Sequence, residues 1–106
     1  MILTSTQDIP DKKITKTFGL VKGNTIRARN IGRDIIAALK NLVGGEIEEY
    51  TKLLAQSREQ AMDRMIAAAE ELGANGIVGI RFSTSYIMQS AAEIMVYGTA
   101  VMVEDN

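Results

Sequence analysis

The sequence predicts an α+β subunit, a two-layer sandwich in which one antiparallel sheet carries two helices on one face. Two observations lead there. Strand-period segments occupy both ends of the 106-residue chain, and helix-period segments fill the middle. Glycines punctuate the joins, at Gly44-Gly45 and Gly73, so the order reads β-β-α-α-β-β. The length argues for a single domain spanning residues 1–106.

Ile2–Thr6 is short, apolar and β-branched, and reads as an edge strand. Ile9-Pro10-Asp11-Lys12 is a turn: proline presets φ and aspartate bonds locally. Lys13–Ile26 alternates and reads as a strand, with Gly19 and Gly23 as bulge or close-approach points. Asn30 can cap a helix from about Ile31 to Leu42, whose apolar residues Ile31, Ile35, Ala38, Leu39 and Leu42 recur at three- and four-residue steps.

The longest element is a second helix, about Glu46 to Leu72. Its stripe is Ile47, Tyr50, Leu54, Ala61, Met65, Ala68 and Leu72, and the alanines suit close packing on a sheet. Gly73 is a natural C-cap, and Asn75-Gly76 supplies a turn. A strand then runs from Ile77 to about Met88, with Gly79 admitting a close neighbour. A second, Glu93 to Glu104, pairs with it as a hairpin around Gln89–Ala92. Both strands are apolar on both sides in places. That excess needs a cover, and a second copy of the chain is the simplest one, so a homo-oligomer is expected.

The glycines at 73, 76 and 79 raise a ligand-loop reading beside the structural one. A phosphate loop places its glycines before a helix N-terminus, where amides converge on the anion. Here they follow a helix and precede a strand, which favours a plain bend.

Composition narrows the chemistry. Cysteine and histidine are both absent. Disulfides, thiolate or imidazole zinc sites and the usual neutral-pH base go with them. Residues 1–45 hold eight Lys/Arg against three Asp/Glu, a balance of +5, and residues 46–106 hold four against ten, a balance of −6. Solvated faces of separate elements explain this split most simply; complementary subunit contact is the alternative. Only Phe18 interleaves with the basic residues, so no stacking platform for nucleic acid is expected. No run has a signal-peptide pattern or the ~18 apolar residues of a membrane span, so a cytoplasmic protein without membrane partners is expected.

GLVKGNTIRARNIGRDIIAALKNLVGGE (Gly19–Glu46), the helix and strand from Glu49 to Phe82, and YGTAV (Tyr97–Val101) resemble the YbjQ-like family of small bacterial proteins. The resemblance spans nearly the whole chain. It implies an α+β subunit with an antiparallel sheet, assembled into a homopentameric ring. It also implies heavy-metal or small-ligand binding, with no ligand set to carry over. A structural or interaction ring without metal or catalytic role is the alternative function.

Any metal cofactor would have to manage without cysteine or histidine. Met62 and Met65, three apart on the second helix, could face a copper(I)-type ion, but core filling is the commoner use of that spacing. Glu46, Glu48 and Glu49 could hold a hard cation, though acidic residues in a first turn are explained by the helix dipole. Arg33 and Asp34 point about 100° apart on their helix and suit contacts to other elements, with Tyr50 and Arg58 as candidate partners. An anion at Arg33, near a helix N-terminus, is the functional counterpart. Candidate ligand or subunit-interface residues are therefore Arg33, Asp34, Glu46, Tyr50 and Arg58. Ser57, Ser83, Ser85 and Ser90 sit in no nucleophile elbow, and no catalytic residue is assigned; the chain reads as a non-enzyme.

Overall fold

The computed structural model describes residues 1–27, 45–88 and 91–106, with side chains described within 1–26, 54–85 and 93–106. Four strands and one helix are found there: β1 (Ile2–Leu3), β2 (Lys12–Arg27), α1 (Gly45–Glu71), β3 (Gly76–Met88) and β4 (Ala91–Asp105). The expected helix over 31–42 lies outside the described residues.

The strands form one sheet in the order β1-β3-β4-β2. β2 and β3 both run antiparallel to β4. β1 is parallel to β3, with Ile2 opposite Gly76 and Leu3 opposite Ile77. The sheet is therefore mixed, where the sequence suggested an antiparallel one. Two residues are too short to show a direction in their side-chain pattern; backbone bonds set it. Ile2 N–H donates to the Asn75 carbonyl at 3.0 Å and Thr4 N–H to Ile77 at 3.0 Å. The β3–β4 hairpin is tighter than expected, with Met88 already opposite Ala91.

α1 lies over β2 and, less closely, β4. Gly23 is the reason it can. A Cβ added there would meet the Ala61 carbonyl oxygen at 2.0 Å and the Met65 nitrogen at 2.6 Å, so only glycine admits the helix backbone. The core on this face joins Val21, Ala61, Met65, Ala69, Val96 and Ala100, with Ile77 and Ile80 from β3. The buried helix face differs in detail from the expected stripe. Leu72 is 47 % exposed, whereas Ala69 and Ser57 are fully buried. The buried Thr25 hydroxyl on β2 is satisfied by donating to the Ser57 carbonyl at 3.3 Å.

α1 ends as expected. Gly73 has φ +88°, its N–H donates to Glu70, and Ala74 N–H donates to Ala69 at 3.1 Å. This paired pattern is a Schellman cap, and Ala74 packs in the same cluster as Ala69. Asn75 does more than turn the chain. Its Nδ2 donates to the Val103 carbonyl at 3.0 Å and its Oδ1 accepts from Val103 N–H at 2.8 Å. One side-chain amide thus imitates a strand peptide against β4.

Gly79 does not serve close approach, since a Cβ there would meet nothing within 4 Å. Its φ of +64° and the register shift between Val78 and Arg81 make it a glycine bulge. The close approach is at Gly98, where a Cβ would meet Ile77 Cγ2 at 2.7 Å.

The helix-free face holds a second, smaller cluster of Val78, Val101 and Val103. Ile2 and Ile9 of the N-terminal segment pack against it. Part of the apolar excess expected to need a second copy is thus covered by the chain itself. Elsewhere apolar residues stay exposed: Leu20 at 71 % and Ile26 at 59 % on the helix-free face, and Phe82 at 48 % beyond the reach of α1. The Cα radius of gyration is 17.1 Å, with principal extents of 56 × 25 × 17 Å. A compact domain of this length has a radius near ~13 Å.

Candidate functional site

Of the five predicted site residues, only Arg58 has a described side chain. Arg33 and Asp34 lie outside the described residues. Glu46 and Tyr50 fall in the first two turns of α1, and their side chains also lie outside. Arg58 is exposed on the helix. Twelve residues of helix separate it from Glu46, about 18 Å along the axis, so one chain does not bring the two together.

The Gly73–Gly79 passage is a bend. An anion loop needs free amides, and these are committed. Gly73, Ala74 and Asn75 N–H groups donate to Glu70, Ala69 and Val101, and Gly79 N–H donates to Thr6 at 2.8 Å.

Polar contacts gather in three places. Where α1 crosses β2, Arg64 Nη1 donates to the Asn24 carbonyl, and Asn24 Nδ2 donates to Glu93 Oε2 at 3.1 Å. Beside β1, Arg81 Nη1 donates to the carbonyls of Ser5 and Ile80, each at 2.8 Å, and ties the N-terminal segment to β3. At the sheet end, Lys12 Nζ meets Asp105 Oδ1 at 2.5 Å. The hydrogen bond and charge of Lys12 hold the Asp105 carboxyl below its ordinary range. On β2, the Lys16 ammonium sits 4.8 Å from the centroid of the Phe18 ring, so the single aromatic among the basic residues already has a cation.

The sequence missed Thr25, Ser57, Asn24 and Glu93 as partners. Hydrophobic periodicity assigns no role to a buried serine. The register that places Asn24 beside the β4 residue Glu93 follows from the Gly19 bulge.

The donor set does not fit a soft heavy metal. No cysteine or histidine exists in the chain. Among the described residues no group of three acidic side chains is placed to hold an ion. Met65 is fully buried and Met62 packs beside it on the core. Nor is any helix among the described residues long and apolar enough to cross a membrane.

Residues 1–104 match the family described as "Putative heavy-metal-binding". A UPF0145 protein of Dehalococcoides mccartyi is 61 % identical over 104 residues, covering 98 % of this chain and 100 % of its own. One from Acinetobacter baylyi is 57 % identical over 98 residues, covering 92 % and 91 %. One from Halorubrum lacusprofundi is 55 % identical over 101 residues, covering 95 % and 97 %. Relatives occur in bacteria and archaea, a wider range than the bacterial one expected. A crystal structure of a DUF74-family protein of unknown function from Pediococcus pentosaceus superposes with TM-score 0.65 at 17 % identity, covering 98 % of both chains. That likeness concerns the fold. With the match spanning 1–104 and identities above half, this chain belongs to the YbjQ-like family, the uncharacterised UPF0145 proteins.

Proposed function

We propose that the chain is the subunit of a homo-oligomeric cytoplasmic binding protein that takes a small ligand. The supporting observation is the helix-free sheet face, where Leu20 and Ile26 remain 71 % and 59 % exposed on a 56 Å long subunit. Isolated apolar residues on a surface are ordinary. Two on one face of a sheet, in a subunit longer than a compact domain of this length, fit contact with further copies. The family resemblance supplies the number five and the closed ring. The family description supplies the binding role, and the residues direct it away from soft metals. The bound molecule would sit where copies meet, at the exposed helix-free face.

Native mass spectrometry of protein purified without chelators tests this. The expected result is a pentamer carrying a fixed extra mass. A clean pentamer with no retained mass, and no thermal shift across a small-molecule panel, would favour the interaction-ring alternative. A monomer would overturn the reading.

A further inference from the structure

The family description names heavy metals, and this chain's own donors contradict it. We infer that the protein does not bind thiophilic metal ions, and that the family's metal description does not extend to this chain.

Copper(I) and cadmium(II) are held by thiolate, thioether or imidazole. With no cysteine and no histidine, the chain's soft donors reduce to six methionine thioethers. The structure separates those it describes. Met1 is 45 % exposed at the N-terminus. Met95 and Met102 stand seven residues apart on β4, an odd step, so they point to opposite faces of the sheet. About 23 Å of strand lies between them. Met88 ends β3 at the hairpin.

Met62 and Met65 are the closest pair, and their environment argues against an ion. Met65 is sealed at 0 % exposure among Ala61, Ala69, Val21 and Val96. A cation placed there would lose its hydration with no carboxylate in the cluster to offset the loss. Moving Met65 outward would open the core under α1. Two thioethers also fall short of a closed coordination sphere. Two of the three carboxylates on β4 are engaged elsewhere, Glu93 by Asn24 and Asp105 by Lys12. Both methionines are core residues, and their spacing reflects the helix period.

Titrating the full-length protein, in its native assembly, with copper(I) and with cadmium(II) against a chromophoric chelator tests this. Elemental analysis of the purified protein runs in parallel. The expected result is no displacement of indicator at a protein affinity tighter than about 1 µM, and no rise in melting temperature. A bound ion at a hundredfold excess over its Kd would raise the melting temperature by on the order of 10 °C. One ion per chain, or one per oligomer, held more tightly than about 1 µM would overturn the inference. Met62→Leu and Met95→Leu then locate the donor, since loss of binding in either identifies a shared thioether site. The subunit mass is read separately, so failure here leaves the oligomer proposal standing, and failure of the oligomer leaves this one standing.

Discussion

The two faces of the sheet are built on different terms. On the helix side, Gly23 lets the α1 backbone touch β2, and Ala61, Met65 and Ala69 fill the contact. On the other side, the described residues cover only one end. There Ile2 and Ile9 close over Val78, Val101 and Val103, and Asn75 pins the strand ends. Further along, Leu20 and Ile26 face outward. Both faces carry apolar residues, yet among the described residues the helix side buries most of its own, whereas the other is covered at one end. What separates them is the supply of covering segments, not hydrophobicity.

The sharpest way to break this contrast is at Gly23. Gly23→Ala puts a methyl into the Ala61 carbonyl and the Met65 amide. Backbone cannot yield as a side chain can, so about 3 kcal/mol or more of stability should be lost. Denaturant midpoints at matched protein concentration measure it, and a change under about 0.5 kcal/mol would mean the helix does not sit where described. Next comes Met65→Ala, which empties a sealed site. It should cost ~2–5 kcal/mol by the same assay.

Asn75→Ala removes both bonds to Val103 and leaves that peptide short of partners. A loss of about 1–3 kcal/mol is expected, with faster amide exchange at Val103 as the local signature. Leu20→Gln should change the intrinsic stability of the chain by less than about 0.5 kcal/mol, because the residue is already exposed. Its effect should fall on assembly instead, as a higher concentration for half-association in sedimentation. If Leu20→Gln leaves association untouched, the helix-free face is not a subunit contact.

The smallest effect belongs to the Lys12–Asp105 pair. The Asp105 carboxyl is held below its ordinary range, so its contribution is present above the unfolded carboxylate pKa. That contribution is lost as pH falls through the lower folded value. Asp105→Asn should therefore lower stability slightly at neutral pH and leave it nearly unchanged in acid, which flattens the acid limb of the profile. A deeper loss in acid than at neutral pH would contradict the assignment.

Much of this contrast is visible in the residues, and the exceptions have physical causes. Gly73 reads as a cap because a glycine after an apolar stripe has few other uses, and Gly23 reads as a bulge or a close approach because it interrupts an alternating strand; the helix backbone over it decides for the second. Gly79 and Gly98 cannot be told apart that way. Both are strand glycines, and only register shows that one relieves φ and the other relieves crowding. Leu72 is core by period, yet it is the residue just before the Schellman glycine and stays exposed, while Ala69 is buried one turn earlier. The parallel setting of β1 rests on backbone bonds that no side chain announces. Of the candidate site, Arg58 alone has a described side chain. Residues whose role depends on a neighbouring copy leave no pattern within one chain.

Mass by size-exclusion chromatography with light scattering, at micromolar concentration, tests the central claim most directly. The account predicts one species at five times the 11.6 kDa chain mass, unchanged by a strong chelator. A monodisperse 11.6 kDa species would contradict it.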